Sequence, residues 1–396
     1  MQDIFFDGLA APLRLEEAGQ VLDLVPEVAP GWPHVVRAAD PEVPPFFTIR
    51  AQPGTALFHT ENHLEPAPSR PMDALNAACD AMAGLALALP AEDAGVICLH
   101  AAGVAMAGRL VVFPNVRRAG KSTLSAALAH RGHPVFSDDV LPLSFPGGGP
   151  VLARSMGIAP RLRLPLPERA SPDFRDWVAA NPGPKNRQYK YLRLPGQPAR
   201  GETLPVGAFV ILDRQEEPET ARLEPVPADA AMDALLHQNF TRDRHSGDIL
   251  AEMAGALGCL PLFRLRYSGL EDAVACLADA FARWPREVPG AGGPPRIFRM
   301  ARFDAAPTVP GPRLVQRPGT VAREIGTTLY LADAEGRAIH RMDPLGAAIW
   351  ELLAQPASPE EIAALLAEAF PDTDPATLGA DLGRLLDGLA GQGLLA

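Results

Sequence analysis

The chain has 396 residues, 47% of them hydrophobic, and a net charge of −11, which is enough length for two or more ordinary domains and enough apolar material for a large core. It has no block of Lys and Arg, and this argues against a nucleic-acid surface, where clustered cations must neutralise phosphates; an acidic surface leaves peptides with basic residues as fitting partners. Apolar runs such as Ala83 to Leu89 are too short to span a bilayer, and the start MQDIFFDGLAAP lacks the basic opening of a signal peptide, so no membrane association and a cytoplasmic location are expected.

In chain order, the first 90 residues offer two strand-like runs, FFTIRAQ and ALFHT, and an Ala-rich helix near Met72 to Leu89 expected to pack on the core. His59, Glu61, Asn62 and His63 form a polar cluster that reads as loop surface, with metal binding as the alternative. Cys79, Cys98, Cys259 and Cys276 are far apart in sequence, match neither a metal clip nor a disulfide framework, and are expected to be buried free thiols. Residues 96 to 151 are better ordered: VICLHAAGVAM, a tight AGR turn, LVVF, a loop, then the helix KSTLSAALAHRG with Gly132 as its C-terminal stop. A short apolar strand, PVFSDDVLPLSF, then leads into the acid pair Asp138 and Asp139.

The loop reads FPNVRRAGKSTL over residues 113 to 124. In the phosphate loop G-x-x-x-x-G-K-[ST], backbone N–H groups cradle phosphates, the Lys reaches the terminal phosphates and the hydroxyl ligates Mg²⁺. Gly120, Lys121 and Ser122 fit that pattern, whereas Asn115 stands where the first Gly belongs; Asn is the non-Gly residue that best tolerates positive φ. A bare Gly-Lys-Ser proves little, but here an apolar strand precedes it, a helix starts at Lys121 and a second strand delivers two acids. This is the arrangement that phosphate chemistry needs. The expected site therefore takes ATP and Mg²⁺. Asn115, Arg117, Arg118, Ala119, Gly120, Lys121, Ser122 and Thr123 form the nucleotide loop, and Asp138 and Asp139 are divided between proton transfer and metal.

The stretch LHAAGVAMAGRLVVFPNVRRAGKSTLSAALAHRGHPVFSDDVLPL resembles the catalytic core of HPr serine kinase, with His100, Lys121, Ser122, Arg131, Gly132, His133, Asp138 and Asp139 on matching positions. LPLFRLRYSGLEDAV, near Leu260, resembles the C-terminal end of HPr kinase-related proteins. The resemblance implies an α/β, phosphoenolpyruvate carboxykinase-like P-loop core. It also implies a base at Asp138, a metal-side acid at Asp139 beside Ser122, and His100 near the phosphates. The glycine-rich G-x-S-G-x-G-K-S loop and the family's second signature are missing, so HPr itself is not implied as substrate. Arg161 with Arg163, and Lys190 with Arg193, lie on two strand-like runs and are either phosphate clamps or solvated surface charges.

Gly and Pro crowd together in WPREVPGAGGPP, residues 284 to 295, and mark a domain boundary. Beyond it, VAREIGTTLYLADAEGRAIHRMD has strand composition, and three helical stretches follow, the second opened by a capping box of Ser358 and Glu361. Residues from about 312 to 396 resemble PqqD, a small winged-helix protein that binds precursor peptides. The resemblance implies that a leader peptide adds as a strand near Arg337 to Met342, bordered by the last helix around Asp381 to Leu389. Asp381 and Asp387 against Arg384 alone speak against DNA. The expected domains are 1–90 packed on the kinase core, 91–288 with the phosphate loop and 296–396 for the peptide. Together they suggest a kinase for a Ser or Thr hydroxyl of a ribosomally made precursor peptide. The alternatives are an ATP-dependent peptide-activating enzyme of another class, a nucleotide-gated peptide binder without chemistry, and a small-molecule kinase.

Overall fold

The computed structural model describes all residues except 68, 116–118, 147–148, 242–243 and 285–311. The expected boundary at 284–295 therefore falls almost wholly outside the described residues. The chain divides into two compact units, one of residues 1–226, 233–243 and 260–288, the other of 227–232, 244–259 and 289–396.

The first unit opens with β1 (Gln2–Phe6), β2 (Leu13–Glu16), α1 (Gly19–Val28), β3 (His34–Ala38), β4 (Phe47–Ala51), β5 (Phe58–Asn62) and α2 (Ala74–Glu92). Its five strands form a sheet in the order β3-β1-β2-β4-β5. Two of the strands and the helix were anticipated; the sheet was not. Asp3 and Arg14 face each other across β1 and β2 as a buried pair with two 2.8 Å bonds. Arg14 also donates to the carbonyls of Asp40 and Val43. A buried ion pair is tolerable only when its spare donors are also satisfied, and here it pins the connection after β3. Val25, Leu15, Leu85, Cys98 and Tyr191 share one buried cluster, so the N-terminal region and the centre of the chain have a common core.

The central elements are β6 (Val96–Leu99), β7 (Ala102–Met106), β8 (Arg109–Phe113), α3 (Lys121–His130), β9 (Val135–Ser137), β10 (Leu141–Ser144), β11 (Leu152–Arg154), β12 (Arg161–Arg163), α4 (Pro172–Ala180), β13 (Tyr189–Tyr191), β14 (Thr203–Arg214), β15 (Arg222–Pro225), α5 (Ala228–Gln238), α6 (Ser246–Cys259), β16 (Leu262–Tyr267) and α7 (Leu270–Ala280). The main sheet runs β6-β10-β11-β14-β8-β7-β9, with β16 added to β14 and β15 to β16, while β12 and β13 make a separate ribbon. β7 and β8 are joined by Ala107 and Gly108, both at positive φ, the two-residue turn that suits the strands' twist. α3 ends as expected: Gly132 is at φ +89, its N–H donates to Ala129 and that of His133 to Leu128, the paired bonds of a left-handed helix stop.

The second unit has β17 (Val321–Ile325), β18 (Thr328–Ala332) and β19 (Ile339–Met342), ordered β17-β18-β19, and helices α8 (Pro344–Leu352), α9 (Pro359–Ala369) and α10 (Pro375–Gly391). This is the three-strand, three-helix composition expected of a PqqD-like winged helix. Leu331 and Met342 pack with Ile349, Trp350, Ile362, Leu382 and Leu386 in one core. α6 lies against all three strands, Tyr330 is fully buried and its hydroxyl donates to the carbonyl of Asp229, and the Asp229 carboxylate accepts from Thr327 and Thr328. The sheet is thus covered by segments from the middle of the chain as well as by its own helices. Ser358 is fully buried and forms the anticipated box, its Oγ accepting from Glu361 N at 3.2 Å while its N–H donates to the Glu361 carboxylate at 2.9 Å. Ser358→Ala should lower this unit's stability by about 1 kcal/mol, measurable as a lower urea midpoint with an unchanged slope. No helix among the described residues is long and apolar enough to cross a membrane.

Candidate functional site

Ala102 faces Phe113 across β7 and β8, and Gly103 faces Ser137 across β7 and β9. β8 and β9 therefore end at the same edge of the sheet, the edge where β7 begins. The loop after β8, the acids after β9 and His100 just before β7 converge there for this reason alone. β7 is buried throughout and β8 is buried beyond Arg109, which makes the platform rigid.

Gly120 is the N-cap of α3 at φ +95, and a Cβ on it would come within 3.1 Å of the Tyr267 hydroxyl. A side chain is strained here by the positive φ and would press on the Tyr267 hydroxyl. The turn aims the first amides of α3, those of Lys121, Ser122 and Thr123, away from the helix body, where the helix has no acceptors for them. Lys121 is buried and its Nζ donates to the Asn115 carbonyl. Ser122 and Thr123 are half-buried, as is Ala119; Arg117 and Arg118 lie outside the described residues.

Asn115 differs from expectation. Among the described residues only Glu17, Ala107 and glycines have positive φ, so Asn115 does not use the left-handed tolerance for which its residue type was considered. Its side chain instead acts as a piece of strand: Oδ1 accepts from Leu212 N at 2.7 Å and Nδ2 donates to Leu212 O at 3.0 Å. The amide continues the parallel β8–β14 contact three residues past its last paired residues, Val112 and Phe209, and fixes where the loop departs. A glycine there has no means to do so.

The two acids point to different surroundings. Asp138 is buried, has the Ser122 hydroxyl near enough to favour its charged form and accepts from the Arg161 N–H at 3.0 Å. Burial first, and the neighbouring Asp139 second, push its pKa up to about 6. The Asp139 carboxylate is 41% exposed, with His100 Nδ1 at 3.0 Å and Arg161 Nη2 at 3.4 Å. Burial raises its pKa, but the His100 hydrogen bond and the charges of His100, Arg161 and Lys121 together outweigh that and hold it below the usual carboxylate value. Two adjacent residues thus end with opposite proton affinities because one is buried with little compensating charge and the other is held by His100, Arg161 and Lys121.

No three His, Cys, Asp or Glu residues among those described converge as a metal cage. Two carboxylates and a hydroxyl do meet at Asp138, Asp139 and Ser122, an all-oxygen set suited to Mg²⁺, which keeps water and phosphate oxygens for its other positions. The residues fit such an ion.

Other candidates have other duties. The Lys190 ammonium is buried and donates to the carbonyls of Val178 and Ala179 at 2.6 and 3.1 Å, so it closes the end of α4 and is neither clamp nor solvated charge. Arg193 pairs with Glu27 on the surface, and Arg163 is exposed. His63 Nε2 is 2.9 Å from Thr48 Oγ1. Cys79 and Cys98 are buried, whereas Cys259 and Cys276 are only half-buried. Arg161, considered for phosphate, lies on the acid pair; at 22 and 23 positions from the aspartates, no sequence spacing announces that contact.

Residues 329–395 match the family model of coenzyme PQQ synthesis protein D (PqqD). No curated protein matches the chain. Among solved structures, the Hpr(Ser) kinase/phosphatase from Coxiella burnetii matches over 46% of this chain and 95% of its own, with 14% identity and a TM-score of 0.23, too loose a superposition to transfer residues. The chain thus carries a PqqD domain over residues 329–395, behind an α/β region in which a phosphate-loop-like turn lies between β8 and α3.

Proposed function

We propose that the protein is an ATP-dependent kinase that phosphorylates a Ser or Thr hydroxyl of a ribosomally made precursor peptide, with the leader of that peptide held by the PqqD domain. The observation that carries this reading is the convergence at one sheet edge of the Gly120 turn that opens α3 and the Asp138–Asp139 pair that follows β9. It brings a loop hydroxyl, Ser122, to the side of strand-end acids, the pairing that holds Mg²⁺ on nucleotide phosphates in phosphate-loop enzymes. Ser122 and Asp138 would hold the ion there, and it would supply positive charge to the nucleotide phosphates. Lys121 turns outward from the Asn115 carbonyl to the same phosphates, and the amides of Lys121, Ser122 and Thr123 cradle them.

For the acids, proton affinity and geometry pull in opposite directions. The raised pKa of Asp138 suits a base, but it is buried against Ser122, whereas Asp139 is open to a substrate. A base must first reach the proton, and phosphoryl transfer asks little of it. Asp138 is therefore the metal-side acid and Asp139 orients and deprotonates the acceptor, the reverse of the assignment that the family resemblance implied. His100 donates to Asp139 and fixes its direction.

β19 is an edge strand, with Arg337 and Arg341 exposed, and a leader peptide pairing with it gains main-chain bonds without a deep pocket. Holding the leader raises the local concentration of the acceptor at the catalytic edge. Amides of residues 337–342 should therefore slow in hydrogen exchange when a leader peptide is added; unchanged exchange across β19 removes this mode of binding. The decisive assay incubates the full chain with ATP, Mg²⁺ and candidate precursor peptides and weighs the product. A stable gain of one phosphoryl group on Ser or Thr supports the kinase; ATP consumption with a different final adduct means a peptide-activating enzyme instead.

A further inference from the structure

We infer that Arg161 is a positioning residue that fixes the two aspartates in their different directions, one through its main chain and the other through its side chain. The inference rests on the kinase reading for its catalytic consequence and on geometry alone for its structural one.

The Arg161 N–H donates to Asp138 Oδ2 at 3.0 Å, and its Nη2 approaches Asp139 Oδ2 at 3.4 Å. A single residue thus touches both acids through parts of itself that a substitution can separate. The guanidinium is itself held. It lies over the Tyr189 ring with 4.8 Å to the centroid, an arrangement that fixes its plane, and it lines the same cavity as Cys79, whose sulfur accepts from the Tyr191 hydroxyl at 3.3 Å. Tyr191 is cross-strand from Arg161 in the β12–β13 ribbon. Cys79, Tyr191, Arg161 and both aspartates line one small cavity of about 30 Å³, so this support lies directly under the acid pair. An arginine anchored on an aromatic face and a carboxylate is not free to swing onto a phosphate as a finger does. Lysine at this position keeps the charge but loses the planar fork that spans Asp139 and the ring.

Arg161→Gln retains the main-chain amide and removes the guanidinium. It should lower kcat roughly 100-fold, the order of loss that follows a displacement of about 1 Å at a catalytic group, with KM for ATP and calorimetric ATP affinity in the absence of metal within about twofold of the parent protein. Arg161→Lys should recover part of kcat. A crystal structure of Arg161→Gln should show the Asp139 carboxylate turned from its present place beside His100, with Asp138 unmoved. A matching fall in metal-free ATP affinity makes Arg161 a phosphate ligand and overturns the inference, as does an unchanged kcat. If the parent protein turns over no ATP with any peptide, the kinase reading fails by itself; the crystal structure then still decides, because an Asp139 undisturbed in Arg161→Gln refutes the positioning role.

Discussion

Replacing Asp138 by asparagine should slow phosphoryl transfer by about 10²–10³-fold and at the same time make the protein more stable above neutral pH. Asparagine keeps an acceptor for the Arg161 amide and a polar partner for Ser122, but it has no charge for a metal. Loss of one preorganised electrostatic group at such a site costs on the order of 10²–10³ in kcat. The stability gain follows from the raised proton affinity of the acid. With a folded pKa of about 6 against an ordinary value of 3.8, the native state binds a proton that the unfolded state releases, so the contribution of Asp138 to stability falls as pH rises between those values and is lowest above them. The penalty at pH 8 is on the order of 2–3 kcal/mol, and the uncharged asparagine does not incur it. Urea denaturation of parent and variant should therefore diverge at pH 8 and coincide near pH 4. Asp139 acts with the opposite sign, because its depressed pKa gives stability that is present above the ordinary carboxylate value and lost as pH falls through the folded one, so it leaves the pH 4 to 8 comparison intact. Retained activity, or equal stability at both pH values, contradicts the buried-acid account.

Lys121→Ala should reduce kcat/KM for ATP by roughly 1,000-fold, with ATP binding lost in calorimetry at concentrations that saturate the parent protein. Lys121 is buried and bonds the Asn115 carbonyl, and Asn115 is tied to Leu212. The ammonium is thus held at the loop before any nucleotide arrives. Its removal takes away the charge that meets the terminal phosphates, while the net loss of one internal hydrogen bond costs only about 1 kcal/mol of stability. Folding and function should separate cleanly: a near-parental denaturation curve with no nucleotide binding. Binding that survives the substitution places the nucleotide elsewhere and removes the phosphate-loop interpretation.

What could be read from sequence was local. The loop, the helix after it and its Gly132 stop, the turn at Ala107 and Gly108, and the Ser358–Glu361 box are set within a few residues of one another, and propensity and capping chemistry announce them. The convergence of His100, Lys121 and the acid pair follows from strand order and was accessible through motif and resemblance. What escaped depends on partners far along the chain. Asn115 has the right residue type for a reason that was not anticipated, because its partner is Leu212, 97 residues later. Arg161 and Lys190 both looked like surface cations, since hydropathy assigns charge to solvent and carries no information about a buried carboxylate or an open helix end waiting for a donor. The first sheet was legible only as isolated strands, and its key bond, Asp3 to Arg14, pairs two charges in a core where periodicity expects neither.

The chain alternates between its two compact units before the long segment at 285–311, since residues 227–232 and 244–259 belong with the PqqD domain and 233–243 do not. A recombinant fragment cut at residue 296 would leave the buried Tyr330 without the Asp229 carbonyl and the strands without α6. Anyone wishing to express the PqqD domain by itself would need to carry that upstream stretch as well.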